Sequence, residues 1–78
     1  MSHTPHELHE EFPDHAARIS ELKTSDAHFA RLAEEYHTIN RAVHRAEANI
    51  EPVETLTEAD MRKTRARLKD EIYRRLVA

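Results

Sequence analysis

One long stretch, residues 26–50, spaces its apolar side chains at alternating intervals of three and four residues, and neither glycine nor proline interrupts it. In a helix that rises about 1.5 Å per residue, this spacing keeps one apolar face turned toward a partner helix for about 38 Å. The stretch therefore predicts a long helix. Its apolar seam is Phe29, Leu32, Tyr36, Ile39, Val43, Ala46 and Ile50.

A second helix is expected at about residues 57–76, because Pro52 cannot continue the hydrogen-bond ladder of the first. Two capping boxes compete for its start, Thr55 with Glu58 and Thr57 with Asp60. Its seam is Met61, Leu68, Ile72 and Leu76, with Arg65 at the step where an apolar residue is missing. The short connection between the two helices favours a hairpin.

Because both helices rise equally per residue, an antiparallel hairpin pairs residues whose numbers add to about 108. This register pairs Leu32 with Leu76, Tyr36 with Ile72, Ile39 with Leu68, and Ala46 with Met61. Arg65 then lies beside Val43, with its guanidinium toward Glu47 or solvent. Apolar residues meet apolar partners, as a packed, coiled-coil-like seam requires.

One or two short helical segments are expected before the hairpin, within residues 5–23. Residues 4–7, Thr-Pro-His-Glu, have the types of an N-cap, a first helical position and a capping box. Pro13 ends this segment and can begin another, and residues 24–26 break the chain before the long helix. The predicted fold is all-α: one domain, residues 1–78, with an antiparallel helical hairpin after short N-terminal helices.

Several short motifs have counterparts in a known family: Phe12-Pro13, Ile19-x-x-Leu22-Lys23, Asp26-x-His28-Phe29, Leu32-x-x-Glu35-Tyr36, His44-Arg45-x-Glu47 and Leu68-Lys69-Asp70-Glu71-Ile72-Tyr73. Together they resemble the YdcH-like family, small bacterial proteins classed as a domain of unknown function, over nearly the whole chain. The resemblance implies a small helical-hairpin protein of the cytoplasm. It brings no catalytic residues.

The composition offers little for catalysis or for a bound cofactor. With no cysteine and no glycine, the chain lacks a thiolate nucleophile, a disulfide and a glycine-rich phosphate loop. His6 and His9 are three residues apart, whereas the zinc-protease pattern needs a spacing of four. We therefore expect no enzyme, no catalytic residues, no metal site and no cofactor.

The sequence gives no sign of export or of insertion into a membrane. The first six residues lack both a basic start and an apolar run, so no signal peptide is expected. No apolar stretch is long enough to cross a bilayer. A cytoplasmic location is expected, and the absence of cysteine permits it.

Charge is divided unevenly along the chain, whose net charge is −3. Residues 1–60 carry five basic and thirteen acidic side chains, and residues 61–78 carry seven and two. The basic helix suggests a nucleic-acid hypothesis, with phosphate contacts from Arg62, Lys63 and Arg67. Its alternative is that these cations pair with carboxylates of the same chain.

The leading functional hypothesis is a module for protein–protein interaction or self-association, with a homodimer placed ahead of a monomer. It rests on a surplus of apolar side chains over what one hairpin seam can bury. The candidate partner surface is Tyr73, Val77, Phe12, Ile19 and Leu22. In the competing monomer, the N-terminal segment folds over that same surface. Nucleic-acid binding through the basic C-terminal helix is the alternative function.

Overall fold

The computed structural model of the chain describes residues 5–48 and 55–78. In these ranges the regular elements are helices: α1 (Leu8–Glu11), a 3-10 helix (Pro13–His15), α2 (Ala16–Ser25), α3 (Ala27–Glu47) and α4 (Thr55–Leu76). The predicted all-α class is confirmed, with short helices followed by a hairpin of two long ones. Thr4, Ile50 and Pro52, which have predicted roles at helix ends and in the seam, lie outside the described residues.

Helices α3 and α4 run antiparallel. Arg62, near the start of α4, donates to Glu47 at the end of α3, with Nη2 and Oε2 3.1 Å apart. Further along α4, Arg65 donates to Asn40, which lies earlier in α3. In both pairs the two residue numbers add to within a few of the sum of about 108 that the antiparallel register predicts. Helix α4 already includes Thr55, two residues before the expected boundary.

The core lies where α1 and α2 cover one side of the hairpin. Its buried apolar residues are Leu8, Ile19, Phe29, Leu32, Ala33, Tyr36, Leu68, Ile72 and Leu76, with Phe12, Leu22 and Ile39 partly buried against them. Leu8 and Ile19 come from the short helices, and burying each stabilises the fold by about 1.5–3 kcal/mol. Hairpin and N-terminal helices therefore share a single core.

The break between α2 and α3 is a single residue. Asp26 is extended, and its Oδ1 accepts from the backbone N–H groups of His28 at 3.0 Å and Phe29 at 3.1 Å. It satisfies two amide groups that the first turn of α3 would otherwise leave without partners. Thr24 and Ser25 instead donate to the carbonyl of Glu21 and remain in α2. The expected break thus narrows to one capping residue.

The first helix begins later than residues 4–7 suggest, so that prediction is wrong. Helix α1 starts at Leu8, with Glu7 as its N-cap and Glu10 as the other half of a capping box. His6, expected in the helix, has φ 65°, a left-handed conformation that no α-helix accommodates. The cause is tertiary, because α3 binds the backbone carbonyl groups of this segment.

Candidate interaction surface

The N-terminal segment of residues 5–12, here called the clasp, is bound to α3 by its backbone. The Tyr36 hydroxyl donates to the His6 carbonyl oxygen at 2.6 Å, and Asn40 Nδ2 donates to the Pro5 carbonyl oxygen at 2.8 Å. Tyr36 and Asn40 lie one turn apart on α3, so they present two donors to consecutive carbonyl groups. These two bonds hold His6 in its left-handed conformation.

Asn40, on α3, is joined to both the clasp and α4. Its side chain is fully buried, and its Oδ1 accepts from Arg65 Nη1 at 3.0 Å while Nδ2 binds the clasp. The sequence analysis missed it, although an amide four residues after Tyr36 and next to Ile39 was a visible signal. The guanidinium of Arg65 was expected near Glu47 or solvent; it donates instead to the buried amide of Asn40.

Two carboxylates of the clasp are paired with cationic or imidazole groups. Glu11 Oε1 accepts from Lys69 Nζ at 2.9 Å and lies 3.3 Å from His6 Nδ1. The Lys69 hydrogen bond is the main cause that lowers the pKa of Glu11; partial burial opposes it, and the charge of Lys69 and the contact with His6 lower it further. Glu7 Oε2 lies 3.0 Å from His37 Nδ1. The clasp is thus attached to both long helices.

Tyr36 sits at the centre of this attachment and is 1% exposed. Burial is the main cause that raises the pKa of Tyr36 to about 12. The negative charges of Glu11 and Glu7 act in the same direction, and the positive charge of Arg65 opposes them. Its hydroxyl therefore stays a neutral donor far above neutral pH.

Aromatic rings join the end of the clasp to α4. Phe12 stacks on Tyr73 with ring centroids 5.7 Å apart, and His15 meets the same tyrosine edge-on at 6.4 Å. Lys69 Nζ lies 5.9 Å from the centroid of the Phe12 ring. Offset stacked rings and a cation near a ring face are each favourable by about 1 kcal/mol.

These contacts divide the candidate partner surface. Ile19 is 4% exposed, and Phe12 and Leu22 are partly buried against the core. The chain itself therefore covers them, as in the competing monomer. Among the described residues, the large apolar side chains that remain exposed are Tyr73 (46%) and Val77 (53%).

The seam residues are not all covered to the same extent. The buried ones are Phe29, Leu32, Tyr36, Val43, Leu68, Ile72 and Leu76. The partly exposed ones are Ile39, Ala46 and Met61. Ile39 is partly exposed because it lines an open groove between the two long helices.

This α3–α4 groove has a volume of about 360 Å³, and the residues that line it come from α3 and α4 alone. Its uncharged lining consists of three apolar residues and two threonines: Ile39, Ala42, Leu68, Thr38 and Thr64. Charged side chains border it: Arg31, Glu34, Glu35 and Arg67. An apolar strip with a charged border has the composition of a protein contact surface.

A second, more polar cleft of about 570 Å³ separates the N-terminal helices from α3. Alanine and serine side chains line much of it, which leaves space between α2 and α3: Ala16, Ser20, Ala30 and Ala33. His9, Lys23 and His37 also line it. Nowhere in residues 5–48 and 55–78 do three or more His, Asp or Glu side chains converge as a metal ion would require.

The hairpin matches a known protein family. A family model described as a protein of unknown function, DUF465, matches residues 29–76, well over half of the chain. The chain belongs to the DUF465 family. YdcH-like proteins belong to this family, so the resemblance seen in the sequence motifs is confirmed. No curated protein and no solved structure matched the chain.

The DUF465 match covers nearly all of α3 and the whole of α4, and α1 and α2 lie outside it. The α3–α4 groove therefore lies entirely within the matched DUF465 hairpin. No described helix of this DUF465 chain is both long enough and apolar enough to span a membrane.

The candidate nucleic-acid residues of the DUF465 hairpin have different surroundings. Arg62 donates to Glu47 and also to Glu58, with Nη2 and Oε1 2.7 Å apart. Lys63 and Arg67 are exposed, and Arg67 borders the α3–α4 groove. One of the three predicted phosphate contacts is therefore engaged with carboxylates of its own chain.

Proposed function

We propose that the chain is a self-associating module in which two copies bind each other through the α3–α4 groove. The observation that carries the proposal is the groove itself: Ile39 and Ala42 are partly exposed there beside the buried Leu68, and no residue of α1 or α2 lines it. The opposite side of the hairpin already has its cover in Leu8 and Ile19.

A second copy is favoured as the occupant because it brings both an apolar strip and a border of both signs. Glu34 and Glu35 border the groove on α3, and Arg67 borders it on α4. Two identical surfaces of mixed charge can be arranged so that opposite charges meet. A standard interface takes about 800 Å² from each partner. One chain exposes 5366 Å² in total, so it has enough surface to supply that area.

The size of the chain supports the same proposal. Domains below about 80 residues usually need a disulfide, a metal or oligomerisation to supplement a small core. This chain of 78 residues has no cysteine. Pairing of helices along their apolar faces is one form of such oligomerisation. The proposal includes no catalytic role, and it places the protein in the cytoplasm.

Nucleic-acid binding is the competing proposal. It would rely on Lys63 and Arg67, since Arg62 is engaged with Glu47 and Glu58. Only Tyr73 on α4 could stack on a base, and its ring already stacks on Phe12. For these reasons the self-association proposal is preferred.

Sedimentation of freshly purified chain over a concentration series tests the proposal. The expected mass rises from 9.1 kDa toward twice that value at micromolar concentrations. Ala42→Glu should weaken association at least tenfold, because it introduces a charge into the groove. Ala17→Glu is the matched control: Ala17 is exposed on α2, outside the groove.

Two results would contradict self-association through the groove. One is a mass of 9.1 kDa at every concentration, together with a cooperative fold. The other is equal association of the Ala42→Glu and Ala17→Glu chains. The competing proposal predicts that the chain retains RNA at low salt. It would be favoured if this binding weakens as salt rises and also weakens in the double variant Lys63→Ala, Arg67→Ala.

A further inference from the structure

We infer that the hairpin has a second recognition surface for another copy of the chain, the surface that the clasp and α2 occupy. In this exchanged form, residues 5–25 of one copy pack on α3 and α4 of the other. The inference rests on the proposed self-association, and it adds a slower and separate route to it.

The first argument is the hinge. A single extended residue, Asp26, separates α2 from α3, and α2 packs back on α3. Residues 16–47 contain neither glycine nor proline, so this region can also run as one continuous helix when the turn at Asp26 opens. Short hinges of this kind favour exchange between copies, because a very short connection constrains how the segment folds back.

The second argument is that every attachment of the clasp joins two separate parts of the chain. The bonds from Tyr36 and Asn40 reach the carbonyl groups of residues 5 and 6, and Lys69 reaches Glu11. Phe12 adds its stack on Tyr73. The same bonds form when the clasp comes from another copy. Exchange therefore keeps these contacts, and its cost is limited to the hinge and to association.

The third argument concerns how the clasp is held. Apart from the buried Leu8 and the stacked Phe12, its attachments to the hairpin are polar, and His6 is left-handed within it. Helix α1 has only four residues, which is too short to be stable alone. Such a segment opens locally without unfolding the hairpin. Opening exposes buried side chains of the hairpin, including Tyr36 and Asn40, and the clasp of a second copy carries the carbonyl groups that they bind.

Thiol cross-linking between two different full-length chains tests the inference, because the natural chain has no cysteine. One chain carries Ser20→Cys and the other carries Ala30→Cys; both positions line the cleft between α2 and α3. Each chain alone holds one thiol. A short bismaleimide can therefore join position 20 to position 30 only between two copies.

The mixed chains are incubated at high concentration for hours, cross-linked, and sedimented. The matched control replaces Ser20→Cys by Ala17→Cys, which is also exposed on α2 but does not line the cleft. The expected result is a several-fold higher yield of the 20–30 product than of the 17–30 product. Asp26→Ala should raise the 20–30 yield about fivefold. The N-cap bonds of Asp26 stabilise the turn between α2 and α3, so their loss favours the exchanged form.

The outcomes separate the two proposals. A dimer mass together with equal yields of the 20–30 and 17–30 products overturns exchange. It leaves the proposal of self-association through the groove intact. A 20–30 product that persists in the Ala42→Glu background supports exchange independently of the groove. A mass of 9.1 kDa in every mixture, with no cross-linked product, overturns exchange and self-association alike.

Discussion

The attachment of the clasp predicts that the protein loses stability in alkali through one tyrosine. Burial is the main cause that raises the pKa of Tyr36 from 10.0 to about 12 in the folded chain. The folded state thus holds the hydroxyl proton more tightly than the unfolded state does. The stabilisation is fully present below pH 10 and is lost as the pH rises toward 12.

The size of the effect follows from the shift. At about 1.36 kcal/mol per pKa unit, the rise of the Tyr36 pKa to about 12 makes the folded state about 2–3 kcal/mol less stable above pH 12 than at neutral pH. Tyr36→Phe cannot ionise. It should lose about 1 kcal/mol at neutral pH, with its bond to the His6 carbonyl oxygen, and it should escape the further alkaline loss.

The assay uses the absence of tryptophan and the presence of two tyrosines, Tyr36 and Tyr73. Tyr73→Phe keeps an aromatic ring against Phe12 and leaves one tyrosine to titrate. Its tyrosinate absorbance should rise between pH 10 and 12, together with loss of helical circular dichroism. The same chain in denaturant should titrate near pH 10.

Two results would contradict this role of Tyr36. If the absorbance of the Tyr73→Phe chain rises near pH 10 while the helical signal stays constant, the Tyr36 hydroxyl is in contact with water and does not hold the clasp. The other result is a difference in unfolding free energy between the natural chain and the Tyr36→Phe chain that stays constant from pH 8 to pH 12. That result too would show that burial does not raise the pKa of Tyr36.

Two further predictions concern the neighbours of Tyr36. Asn40→Ala should lower the free energy of unfolding in urea by about 2–4 kcal/mol, because the Pro5 carbonyl and the Arg65 guanidinium each lose a buried partner; a loss below 0.5 kcal/mol would contradict the buried link. Because the pKa of Glu11 is lowered in the folded chain, its contribution is present at neutral pH and is lost as the pH falls through its folded value. Glu11→Gln should therefore flatten the stability profile below pH 5, measured by urea unfolding, and an unchanged acid profile would show that Lys69 does not hold this carboxylate.

The two long helices could be predicted from the sequence because their signals are local. The spacing from Phe29 to Val43 depends only on the helical repeat, and it held along the whole of α3. Asp26 is likewise a local signal, since an N-cap bonds to amide groups two and three residues away. The antiparallel arrangement then followed from a connection too short for any other.

The clasp could not be predicted, because its partners lie far away in the sequence. Residues 4–7 have the types of a helix start, but donors on α3, thirty and thirty-five residues later, bind their carbonyl groups and turn His6 left-handed. The capping preference of residues 4–7 is worth about 1 kcal/mol, whereas the two part-buried hydrogen bonds from α3 together contribute about 1–3 kcal/mol. Tertiary structure therefore decided where α1 begins.

Tertiary structure also decided the surfaces on which both proposals depend. The sequence alone determined that Phe12, Ile19 and Leu22 need cover and that α4 is basic, but both properties allow several arrangements. Only packing placed Ile19 in the core, directed Arg65 to a buried Asn40, and left Ile39 at the edge of an open groove. Helix periodicity specifies which face of a helix is apolar, whereas the choice of what covers that face depends on contacts between distant residues.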